Sequence, residues 1–121
     1  MRRLPPRLKW KRGLFVVMTE PPGLGREREP AEVEGIIAPP FGIYRGDRYG
    51  PDLLGNGRHF TLSLLACRER IATTLQQIDC KRLASDLVAL RVSWDAPNAA
   101  GIQGEDLPRA RERIRRFREA G

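Results

Sequence analysis

His59 is the only imidazole of the 121-residue chain, and its two thiols are Cys67 and Cys80. A Cys67–His59 couple oriented by Asp47 or Asp52 would make a nucleophile with its base, and His59 with both cysteines would offer three zinc ligands. The surroundings oppose both readings. Cys67 falls on an apolar stripe at helical spacing, where a thiol packs as a small hydrophobe and is not activated. The ligand spacings match no usual zinc finger, and a fourth donor is missing. Glycines 42, 46, 50, 55 and 57 surround Tyr44, Arg45 and Arg48, but neither the P-loop nor the dinucleotide pattern is present, and turn chemistry accounts for them. No catalytic residue, metal ligand or cofactor is assigned.

What the sequence supplies in quantity is guanidinium. Of 22 basic residues 19 are Arg, against 15 acids, for a net charge of +7. Positive charge gathers at the two ends: residues 1–12 hold six cations and no acid, 13–35 are net negative, and 105–121 carry six Arg against four acids. Such clusters neutralise phosphates in a salt-sensitive, sequence-tolerant way; GC-rich coding and a solvated face account for the same composition without a partner. Trp10 and the neighbours Tyr44-Arg45 and Arg48-Tyr49 set rings beside guanidiniums, an arrangement suited to single strands.

The elements that must position these groups divide the chain in two. Residues 1–12, with adjacent prolines and clustered charge, read as an extended basic arm, and 13–121 as one domain. Residues 13–20 read as a strand, 21–32 as an exposed loop, and 33–38 and 41–45 as short strands separated by Pro39-Pro40. Asn56-Gly57 predicts a hairpin near 53–62, with its second strand running to about residue 64. From there Leu64, Cys67, Ile71, Leu75 and Ile78 recur at steps of three or four, which predicts a helix over 65–78. Leu83, Leu87 and Leu90 lie out of phase with that stripe, so a second helix is expected over 80–90, N-capped by Asp79, with Ile78 stapled to Leu83. Val92 and Trp94 suit a short strand. The last helix spans 105–120, introduced by Asp106 and Pro108.

The fold class expected is therefore α+β: a small antiparallel sheet in the N-terminal half, two helices at about 65–90, and a C-terminal Arg-rich helix. A core is expected from Leu14, Val16, Ile36, Phe60, Leu62, Leu64, Ile71, Leu75, Ile78, Leu83, Leu87, Ile114 and Phe117.

Function is read from the helix pair and the basic ends. A helix-turn-helix docks its second helix in the major groove while flanking cations hold phosphates. Here Lys81, Arg82 and Ser85 lie on the second helix, Arg68 and Arg70 on the first, and Arg91 beyond them; Arg113 and Arg116 represent the C-terminal helix. The tract 71–87 resembles winged-helix regulators in texture, although its turn, Gln76-Gln77-Ile78-Asp79, lacks the usual glycine. The expectation is a non-catalytic nucleic-acid-binding or regulatory protein, with DNA or RNA as partner. One alternative is a protein-interaction module, an adaptor or inhibitor engaging an acidic protein or a second copy through the stripe Leu107, Ala110, Ile114 and Phe117. Another is a small-ligand-binding domain with a pocket between sheet and helices. The longest apolar run, 13–18, is six residues, far short of the ~20 that a membrane span needs. It also lacks a signal-peptide cleavage site, so a cytoplasmic location with free thiols and no membrane partner is expected.

Overall fold

In this computed structural model, residues 8–20, 27–52 and 57–120 are described. The chain is α+β. Strands β1 (Lys11–Thr19), β2 (Glu29–Ala38), β3 (Phe41–Asp47), β4 (Gly50–Pro51), β5 (Phe60–Leu64) and β6 (Arg70–Thr74) precede helices α1 (Gln77–Val88) and α2 (Leu107–Ala120). All pairings are antiparallel, in the order β1-β2-β3-β5-β6, with β4 added to the end of β3. A cis Pro39-Pro40 turn joins β2 to β3.

Alternation along β3 and β5 sends side chains to two cores. Phe41, Ile43, Leu62 and Leu64 meet Ile71, Cys80, Leu83, Ala84, Leu87, Trp94 and Ala110 on the helix side. Phe15, Val17, Val33 and Tyr44 form a second cluster, covered because the sheet curls. Beyond its pairing with β2, β1 reaches across: the Met18 N–H donates to the Arg68 carbonyl (3.2 Å) and the Glu20 N–H to the Arg48 carbonyl (2.8 Å). The register follows from this. Met18 pairs with Pro30, a position where proline's missing donor costs nothing because the Met18 amide points the other way. Thr61 and Ser63 are fully buried on this face. Thr61 Oγ1 donates to the Gly46 carbonyl (2.9 Å) and lies 2.9 Å from Thr73 Oγ1, while Ser63 Oγ has no hydrogen-bond partner among the described residues.

The helix expected over 65–78 is absent. Residues 65–69 form a hairpin turn, with Arg68 at φ 63°, and 70–74 are β6. Ile71, Thr73 and Thr74 are β-branched and suit the pleated surface better than a helical turn. The apparent stripe was a coincidence of spacing: Leu64, Cys67 and Ile71 are buried by the hairpin, whereas Leu75 and Ile78 are 63% and 47% exposed. Only one helix therefore occupies 65–90. Its N-cap is Gln76, with no side-chain cap hydrogen bond, and Asp79 sits in the first turn, where its charge still complements the helix dipole. Ile78, expected to staple to Leu83, is 47% exposed, whereas Leu83 is fully buried.

Other expectations shift by smaller amounts. The loop assigned to 21–32 ends early, because β2 begins at Glu29; residues 21–26 lie outside the described residues, as do 53–56 of the hairpin around Asn56. Of the arm, 1–7 lie outside them too, while Lys11 and Arg12 open β1, and Leu8 and Trp10 pack against the helix-side core. Val92 and Trp94 form no strand; the Val92 and Trp94 amides donate to the Leu90 and Val92 carbonyls in successive tight turns. Leu14, expected in the core, is 62% exposed on the outer face of β1.

Phe15 lies over Gly35 and Gly42, and a Cβ at Gly35 would sit 2.1 Å from the Ile43 carbonyl oxygen. Gly35→Ala should therefore cost on the order of 3 kcal/mol by forcing β2 away from β3. Urea unfolding checks this, and an unchanged midpoint would contradict the close approach.

Candidate functional site

The six arginines of α2 do not form one face. At about 100° per residue, Arg109, Arg113 and Arg116 fall on one flank and Arg111, Arg115 and Arg118 on the other, with Ala110, Ile114 and Phe117 between them facing the core. The first flank borders α1 across an open groove of about 640 Å³. There each guanidinium already has a carboxylate: Arg113 donates to Asp86 (3.0 and 2.7 Å), Arg116 to Glu112 (3.0 Å), and Arg109 lies 3.8 Å from Asp106.

The second flank faces β6 and differs in its charge balance. Arg115 is spent on Glu112 and Glu119. Arg118 donates to the Ile71 carbonyl, through Nε at 2.8 Å and also through Nη2. Arg111 makes no ion pair with a described residue. Together with Arg70 from β6, Arg111 and Arg118 line a notch of about 260 Å³ whose walls include Leu64, Ile71, Trp94, Ile102 and Ile114. The one carboxylate there, Glu69, is held bidentately by Arg28 at 3.1 Å through each oxygen. Partial burial, and after it the nearby Arg70, push the Arg118 guanidinium below its usual pKa, as desolvation and a like charge do to any cation.

The floor is rigid. Trp94 is buried, its Nε1–H donates to the Leu87 carbonyl (3.0 Å), and its ring lies 5.9 Å from that of Phe41. The mouth is formed by the 3-10 turn Ala99–Gly101, closed by the Asn98 side chain accepting from the Gly101 N–H. Ser93 and Gln103 tie this segment's two arms together.

The residues expected to read nucleic acid are dispersed. Arg68 is in the β5–β6 turn and exposed. Lys81, Arg82 and Ser85 are on α1, with Arg82 3.9 Å from Asp79. Arg91 follows α1 and pairs with Glu105. Arg113 and Arg116 share the α1–α2 groove, and only Arg70 reaches the notch. Leu107, Ala110, Ile114 and Phe117, expected at an interface, lie on the inward side of α2: Ala110 is fully buried, and Ile114 and Phe117 pack against the chain's own core. Tyr44 is buried, with its hydroxyl on the Asp47 carbonyl (2.7 Å), and Tyr49 stands exposed under Arg48. Arg111 and Arg118 were missed. They sit seven residues apart, each next to the Ile114 stripe on a helical wheel, a signal that a count of charges does not show.

Of the residues of the acid–base readings, His59, Asp47 and Asp52 come together, and the two cysteines lie in the helix-side core. His59 lines a small cavity beside β4 with Asp47 and Asp52. Both carboxylates are engaged there: Asp47 accepts the Tyr49 N–H (2.8 Å) and Asp52 the Gly57 N–H (2.5 Å). Cys67 and Cys80 are free thiols in the helix-side core; burial raises both, Cys80 to about 12, and the Cys80 thiol donates to the Phe60 carbonyl.

Among the described residues no helix is long and apolar enough to cross a membrane. The chain matches no protein-family model, no curated protein and no solved structure.

Hydrogen bonds from Arg115 and Arg116 hold the Glu112 carboxyl down to about 2, from an ordinary 4.5. A carboxyl depressed in the folded state stabilises it above its unfolded pKa, and that contribution fades as pH falls toward 2. An NMR titration of the Glu112 side chain should show this depressed midpoint; a midpoint near 4.5 would mean that the guanidiniums are not engaged.

Proposed function

We propose that the chain is a non-catalytic binding domain whose partner is an anion received between β6 and α2. One observation carries this reading: Arg70, Arg111 and Arg118 line one notch in which the one carboxylate among the described residues, Glu69, is held by Arg28. Arg70 is half-buried, while Arg111 and Arg118 stand exposed at the rim, so an anion seated there meets three cations at once, with an attraction that salt screens. Pockets of this make, mostly apolar with a few convergent polar groups, are the usual form of small-ligand sites. Replacing both Arg70 and Arg111 by Gln should abolish the thermal stabilisation of the chain by added anions while leaving its circular dichroism unchanged. Undiminished stabilisation in the double variant would refute the reading.

A second reading, nucleic-acid binding, is favoured by a different feature. Lys9, Lys11 and Arg12 are exposed in succession at the opening of β1 and make no ion pair with a described carboxylate, and the sequence before them adds three more arginines. Phosphate contact there would be sequence-tolerant and steeply salt-dependent. Anisotropy of labelled DNA and RNA at about 50 and 200 mM salt should then show binding that Lys9→Ser, Lys11→Ser and Arg12→Ser together remove. Equal binding by that triple variant would exclude the β1 cations.

A further inference from the structure

We infer that the occupant of the β6–α2 notch is a small organic monoanion, a carboxylate carried on a compact apolar body. This rests on the anion-binding reading above and narrows it.

Three features set the ligand's character. The first is size: about 260 Å³ equals some nine water volumes at ~30 Å³ each, which admits a molecule of on the order of nine heavy atoms. It lies just below the ~300 Å³ where drug-sized sites begin. The second is the wall. Trp94, Ile102 and Ile114 offer no hydrogen-bonding side chain to the interior apart from the indole N–H, and that is committed to Leu87. The arginines donate, but among the described residues the one carboxylate lining the notch is Glu69, already held by Arg28, so the donor groups of a nucleobase or sugar would lie unpaired against this wall at about 1–3 kcal/mol each, whereas an aliphatic or aromatic body would lose none.

The third is the placement of charge. Arg118 is anchored by Nε and Nη2 on the Ile71 carbonyl, so its Nη1 edge remains to receive an oxygen; Arg111 and Arg70 supply further donors. Planar forks of this kind match a carboxylate bidentately.

The probe is benzoate, with acetate, inorganic phosphate and a short random-sequence single-stranded DNA as comparisons, read by calorimetry and thermal shift on the full chain. Two variants accompany it. Arg111→Gln removes charge, and Ala99→Trp places bulk at an exposed position of the notch's mouth, leaving every cation in place. Benzoate should raise the melting temperature where acetate and phosphate at equal concentration do not, and each variant should weaken it at least tenfold. Arginine-dependent binding of phosphate or DNA that ignores Ala99→Trp would overturn this inference and leave the broader anion reading standing. Benzoate binding that survives Ala99→Trp would place it elsewhere and overturn the inference as well. Absence of binding by every anion would overturn both.

Discussion

The structure depends on one constraint: β3 and β5 are buried on both faces. Phe41 and Ile43 look one way and Tyr44 the other; Leu62 and Leu64 oppose Thr61 and Ser63. A strand pair without a solvent face must be covered twice. The helices cover one side. With no second layer of helices in a chain of this length, the other side is covered by the sheet itself, as β1 and β2 bend over and Phe15 and Val33 close upon Tyr44. The glycines at 35 and 42 lie where the bent layer comes closest, and the links from Met18 to Arg68 and from Glu20 to Arg48 hold the bend shut.

The same economy produces the notch. Residues 89–106 must carry the chain from the end of α1 to the start of α2 without a strand of their own. They do so by sinking Trp94 against Phe41 and holding the rest through short hydrogen bonds among Ser93, Asn98, Gly101 and Gln103. An irregular segment does not fill the angle between a sheet edge and a helix as another strand would. The space it leaves is apolar because the core lies beneath it and cationic because α2 and β6 bring their arginines to its rim.

How much of this was legible in the sequence depends on which signal carried each part. Strands β1, β3 and β5 were readable in extent from apolar runs between Gly and Pro boundaries, and β5 also from the alternation of Leu62 and Leu64, but the inward parity of β1 was not, since Leu14 and Val16 are expected in a core that takes Phe15 and Val17 instead; α2 was readable from Leu107, Ala110, Ile114 and Phe117. The segment 65–78 was misread because a short hairpin and a helix can place apolar residues at the same intervals; β-branched Ile71, Thr73 and Thr74 were the better guide. The second core was hidden, because curling is a property of pairing between distant strands and leaves no local period. The site was half legible. Arginine abundance on α2 was plain, but which guanidiniums keep a free edge depends on the positions of Asp86, Glu112 and Glu119 around the helix and on Arg28 reaching Glu69 from 41 residues away.

The anchoring of Arg118 has a consequence for the sheet's open side. β6 ends the strand order, and a terminal strand with bare amides and carbonyls is a template on which another chain can add. Ile71 directs its carbonyl outward, and the last turn of α2 lays a guanidinium across that acceptor. At the far end of the sheet, β1 turns the amides of Met18 and Glu20 back into its own molecule. A cation at one rim and a fold-back at the other thus occupy backbone groups on which a further strand could pair, and the tail of the last helix guards the sheet's edge as much as the strands do.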